Sequence, residues 1–103
     1  MKKRTPQEIY REDKLILQLY VSGMTPKSME AIENITSLCK SNFGDAYRLE
    51  IIDIYKHPEI AAADQIVFSP SLVKRFPLPK KILIGTFSDT KKVLRVLGIP
   101  VTE

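Results

Sequence analysis

Apolar and polar positions alternate between two rhythms along this chain, and the switches between them mark its elements. Lys14–Val21 reads KLILQLYV, an almost unbroken apolar run, as expected of a strand inside a sheet covered on both faces. Ser22-Gly23-Met24-Thr25-Pro26 then turns the chain. Thr25 is a natural helix N-cap and Pro26 suits the first helical position, where its missing N–H costs nothing. From there Met29, Ile32, Ile35, Leu38 and Cys39 recur at helical spacing, which predicts a helix to about Asn42, ended by Gly44-Asp45. Tyr47–Ile54 (YRLEIIDI) is the second strand. Strand, helix and strand form a βαβ unit, whose strands should be parallel and whose crossover should be right-handed.

The second half is more broken. Pro58–Asp64 opens with a helix-entry proline and is rich in alanine, so a short helix is expected. A strand near Leu72–Arg75, a Pro77-Leu78-Pro79 turn and a strand at Lys81–Ile84 follow. Ser88 caps a last helix, Asp89–Leu97, which Gly98 stops. The order β-α-β-α-β-β-α predicts a four-stranded mixed sheet with helices on both faces, an α/β fold of thioredoxin-like order. Pro70, Pro77 and Pro79 fall within ten residues of a segment that otherwise reads as strand. Proline lacks the ladder donor and survives only at strand edges, ends or bends. Ser69–Pro70 is the candidate for a cis bond.

Composition narrows the class. The 103 residues suit one domain, and 44% hydrophobic with 27% charged residues is ordinary for a globular fold. Residues 1–13 read as a basic polar arm and 14–103 as the domain. Met1-Lys2-Lys3-Arg4 leads into polar residues with no apolar segment, so no export signal is read and a cytoplasmic location is expected. The net charge of +4 weakly favours an acidic partner surface.

Catalytic chemistry is thin. At the helix entry, where a redox thioredoxin carries Cys-x-Pro-Cys, this chain has Met24-Thr25-Pro26-Lys27, which cannot form a thiolate. Cys39, the one cysteine, falls on the helix's apolar face, so it is read as a packed core residue. His57, the one histidine, precedes Pro58 and is read as an exposed loop residue; with one distant cysteine it does not make a zinc site. No P-loop, Rossmann glycine pattern or nucleophile elbow occurs, so neither metal, cofactor nor catalytic residue is expected. Lys74-Arg75, Lys80-Lys81 and Lys91-Lys92 are read as solvated charges in preference to a nucleic-acid surface, and Phe76 and Tyr55 as packing locally in preference to stacking on bases.

One resemblance gathers these pieces. Leu17–Ser28 (LQLYVSGMTPKS), Ile51–Asp53 followed by Lys56 and Pro58, Ser69-Pro70-Ser71-Leu72, and Phe76-Pro77-Leu78-Pro79 leading to Ile82-Leu83-Ile84-Gly85 together resemble the KaiB family of circadian-clock proteins. The resemblance implies a non-enzymatic regulator that binds the ring-shaped ATPase and autokinase KaiC and modulates its phosphorylation, in a clock or in stress-adaptation timing. It implies a partner surface formed by the Gly23–Pro26 loop, the region Ile54–Ile60 and the C-terminal half, with Gly23, Thr25, Pro26, Ile54, Lys56 and Pro58 as its candidate contact residues. It also implies two arrangements of the C-terminal half: a resting βαββααβ form, dimeric or tetrameric, and a thioredoxin-like monomer that binds. The resemblance further implies that a sensor-kinase domain of thioredoxin-like fold competes for the same place on KaiC. Pro70, Pro77, Pro79 and Gly85 are the fold-switch candidates, since prolines discourage one dominant ladder and two packings must lie within a few kcal/mol. The chain departs from the family pattern at Gly85-Thr86 and where Gln18, Glu30 and Glu50 replace basic residues. Val93–Leu97 has no glycine, which favours a C-terminal helix. The alternative reading is a thioredoxin-like protein that does not bind KaiC and serves stress response or residual redox chemistry.

Overall fold

A computed structural model describes residues 14–98; the arm expected at 1–13 lies outside the described residues, as do 99–103. The elements are β1 (Leu15–Val21), α1 (Pro26–Phe43), β2 (Tyr47–Asp53), α2 (Pro58–Ala63), β3 (Ser71–Phe76), β4 (Lys81–Ile84) and α3 (Thr90–Val96). The sheet order is β2-β1-β3-β4. β1 pairs with β2 in parallel, while β1–β3 and β3–β4 are antiparallel. This is the thioredoxin-like arrangement of the two that the sequence left open, with the C-terminal helix in place.

Strand alternation divides the core into two layers. Leu15, Leu17, Leu19 and Val21 of β1 meet Ala31, Ile35, Leu38 and Cys39 of α1, and Val93 and Leu94 of α3, on one face. Tyr20, Ile52 and Val73 meet Ala61 of α2 on the other. Each large side chain fully buried in this way contributes about 1.5–3 kcal/mol. Coverage is unequal, which corrects the expectation for β1. Six residues of α2 span only about 9 Å, so Tyr20 is covered while Ile16 and Gln18 stay half-buried.

Three more expectations need correction. Met29 is 48% exposed, because the buried face of α1 runs through Ser28, Ala31, Ile35, Leu38 and Cys39 and leaves it on the flank. The last helix is capped by Asp89, whose Oδ1 accepts from the Lys92 N–H at 3.1 Å; Ser88 lies one residue too early for that reach. Lys74 is buried on the α1 and α3 face, in register with Leu17 and Lys81. Its ammonium is therefore not a solvated loop charge; burial, then the charge of Lys81, lowers its pKa.

The prolines lie where the ladder tolerates them. Ser69–Pro70 is cis, as expected, and so are Phe76–Pro77 and Leu78–Pro79. Pro70 is buried, and its carbonyl accepts from the Gly85 N–H at 3.1 Å.

Candidate protein-docking site

Three loops converge at the end of the sheet where β1 and β2 finish and β3 begins. The first, after β1, turns through Gly23 at φ +67°, a left-handed conformation that favours glycine. An Asp53 oxygen, Oδ1, accepts from the Gly23 N–H at 3.1 Å and from the Tyr55 N–H at 2.9 Å. One carboxylate thus joins the first loop to the second. The Tyr55 ring lies beside Gly23. The third loop is attached by a bond between the Ser22 and Ser69 hydroxyls, and the Ser71 hydroxyl donates to the Phe68 carbonyl. Thr25 caps α1, its Oγ1 accepting from the Ser28 N–H at 3.2 Å.

These ties present apolar side chains to solvent. Met24, Tyr55, Val67 and Phe68 are 69%, 75%, 81% and 61% exposed, unusual for residues that large on loops held by side-chain bonds. Lys27, in the first turn of α1, and Lys56, on the second loop, are exposed beside them. Of the residues expected at a partner surface, Thr25, Pro26, Lys56 and Pro58 are exposed, while Gly23 and Ile54 are half-buried. All six belong to the first two loops or the helix starts beside them. Pro70 and Gly85 lie at this end too, but Pro77 and Pro79 are in the β3–β4 turn at the opposite end of the sheet. The structure does not bring the four fold-switch candidates together. Met24 and Tyr55 lie within the expected partner stretches Gly23–Pro26 and Ile54–Ile60, and Val67 and Phe68 within the C-terminal half, but none of the four is singled out by the sequence as a contact residue, and Tyr55, expected to pack locally, is exposed. The available signal was the placement of large apolar residues beside turn residues, outside any periodic run.

Asp53 and Cys39 both depart from their ordinary titration ranges. The Asp53 carboxyl sits below the ordinary carboxylate range, first because it accepts the Tyr55 N–H and then the Gly23 N–H, with Lys56 and His57 adding to the effect against some desolvation. Burial pushes the Cys39 thiol up to about 11, so at neutral pH it stays protonated inside the core. His57 is exposed, with Nδ1 3.6 Å from a Glu59 oxygen. Among the described residues no group of three or more His, Cys, Asp or Glu side chains is placed to hold a metal ion, and no helix is long and apolar enough to cross a membrane.

Residues 18–99 match the KaiB domain, which covers most of the chain. The chain belongs to the KaiB family. Circadian clock protein KaiB3 of Synechocystis sp. is 39% identical over 87 residues, spanning 84% of this chain and 85% of that protein. Circadian clock oscillator protein KaiB of Synechococcus elongatus is 42% identical over 79 residues, 77% of this chain and 78% of the relative. Among solved structures, the N-terminal domain of Synechococcus elongatus SasA superposes with a TM-score of 0.70 at 22% identity, covering 95% of this chain and 94% of that one. The Drosophila melanogaster thioredoxin Deadhead gives 0.67 at 17% identity, covering 95% and 97%. Both confirm the thioredoxin-like fold, and the family membership supports a role in the circadian clock.

Proposed function

We propose that this chain is a non-enzymatic KaiB-like regulator, acting in the cytoplasm, that docks on a KaiC-like ATPase and autokinase and modulates its phosphorylation. The observation that carries the reading is the apolar surface of Met24, Tyr55, Val67 and Phe68 on loops tied together by side chains, in a chain of the KaiB family. Aromatic and methionine side chains rimmed by charge are the usual composition of a binding hot spot. Gly23, Thr25 and Pro26 shape the first loop of this surface, and Ile54, Lys56 and Pro58 the second. A thioredoxin-like thiol mechanism has no support at the helix entry, since Met24 and Lys27 stand there and Cys39 is enclosed.

Pro70 and Gly85 join β3 and β4 to this end, and with Pro77 and Pro79 they bound the segment that would repack in a resting dimer or tetramer. Were such a form populated, apparent affinity would fall by the fraction of chains held in it. Light scattering across concentration tests self-association. Pull-down against the cognate KaiC in ATP, with KaiC phosphorylation followed over time, tests docking. Capture by the native chain and its loss in Phe68→Ala and Tyr55→Ala support the reading; no capture at any incubation time overturns it.

A further inference from the structure

The loop that carries Val67 and Phe68 leaves α2 through Gln65 at φ +56°, a left-handed conformation that a residue with a Cβ adopts only when its surroundings impose it. The Gln65 N–H donates to the Ala62 carbonyl at 3.0 Å and the Ile66 N–H to the Ala61 carbonyl at 2.9 Å, which closes the turn but does not fix its direction against the sheet. That direction comes from Asp64, the residue before the turn. One of its carboxylate oxygens, Oδ2, accepts both the Tyr20 hydroxyl of β1 and an Arg75 Nη2 of β3, and Lys80 Nζ is 3.6 Å from the other. The Asp64 side chain is 11% exposed.

Arg75 reaches Asp64 by strand alternation, two residues beyond Val73 on the face that carries Tyr20 and Ala61. A bulge follows it: Ile16 pairs with Phe76 and Leu17 with Lys74, so Arg75 has no opposite residue and Phe76 is turned onto the same face. Arg75 and Phe76 then both line the hollow beside Ile16 and Gln18 on the sheet face that α2 leaves bare. A second contact orients the guanidinium: Arg75 Nε donates to Gln18 Oε1 at 2.6 Å, and Gln18 Nε2 donates to Glu50 Oε1 at 2.9 Å. Gln18 and Glu50, two of the departures from the family pattern, form a polar row across the sheet that ends at the Arg75 fork.

We propose that Arg75 and Asp64 are positioning residues for partner docking, the pair holding the 65–70 loop in the geometry that presents Val67 and Phe68. The proposal rests on the docking surface described above. A charge-assisted bond at a nearly enclosed carboxylate is stronger than a neutral one, and it depends on both partners.

The test is a double-mutant cycle with Asp64→Asn, which keeps an acceptor for Tyr20 but removes the charge, Arg75→Gln, both together, and Arg75→Lys. Each single substitution should speed amide exchange at Gln65 and Ile66 about tenfold and weaken KaiC capture by a similar factor. The double variant should be no worse than the poorer single, and Arg75→Lys should recover part of both losses. Additive losses, or unchanged exchange at Gln65 and Ile66, overturn the proposal. So does undiminished capture by the loosened variants when Phe68→Ala still lowers it. If Phe68→Ala leaves capture intact as well, the docking surface itself is refuted, and the exchange arm alone decides whether the pair holds the loop.

Discussion

Gly23→Ala isolates the conformational demand of the first loop. At φ +67° an L-residue with a Cβ is disfavoured by about 1–2 kcal/mol. The added methyl meets no obstacle: its nearest neighbours are Tyr55 Cδ2 at 3.6 Å and Cε2 at 3.7 Å, ordinary van der Waals contacts. The Asp53 carboxylate still accepts the N–H at this position. Strain is therefore the main loss, partly offset because alanine restricts the unfolded chain, and about 1 kcal/mol should remain. For a domain of this size that lowers Tm by about 4–8 °C, readable by circular dichroism. Gly23→Asn, whose side chain tolerates the left-handed region, should lose markedly less. A Gly23→Ala protein that melts within about 1 °C of the parent would show that the loop does not need this conformation. A loss above about 3 kcal/mol would show a clash that the Tyr55 distances exclude.

Three further outcomes follow. Cys39, enclosed and shifted to about 11, should resist alkylation at pH 8 in the native protein and react once urea unfolds it. The Asp53 carboxyl titrates below its ordinary 3.8 in the folded chain, so the unfolded chain takes up the proton first. The tie to Gly23 and Tyr55 is then complete above 3.8 and lost as pH falls through the lower folded value, seen as movement of the Gly23 and Tyr55 amide resonances in acid. Asp89→Ala should cost about 1 kcal/mol in urea unfolding, while Ser88→Ala should leave stability unchanged.

Most of the fold was legible because burial imposes periodicity. β1, α1 and β2 show it over long runs, and Thr25-Pro26 and Gly44 punctuate them as capping chemistry requires. What escaped depends on how far one element covers another. Helical spacing alone could not distinguish Met29 on the flank of α1 from Ser28 on its buried face, because the centre of that face is set by packing against β1. The apolar run of β1 likewise gave no sign that α2 would stop short of Ile16. Asp64 was harder still. It became a hub through Arg75, 11 positions on in another strand, and a tyrosine hydroxyl 44 positions away, and no local pattern encodes either.

Exposed apolar residues occur in several places, and their surroundings distinguish two of the groups. Ile82 and Ile84, 47% and 60% exposed, lie on the edge strand β4, preceded by Lys80 and Lys81. Lysines at an edge oppose pairing with a further strand, so these isoleucines are guarded. Met24, Tyr55, Val67 and Phe68 stand instead on loops anchored by Asp53, by Ser22 with Ser69, and by Asp64 with Arg75. Anchoring of that kind adds little to the core; its effect is to spend ordering entropy during folding, so that less is lost when a partner docks. A surface that needed only solubility would carry polar side chains on free loops. Apolar side chains on fixed loops are the arrangement that lowers the cost of association, which is why the proposed docking surface is placed at this end of the sheet and not along β4.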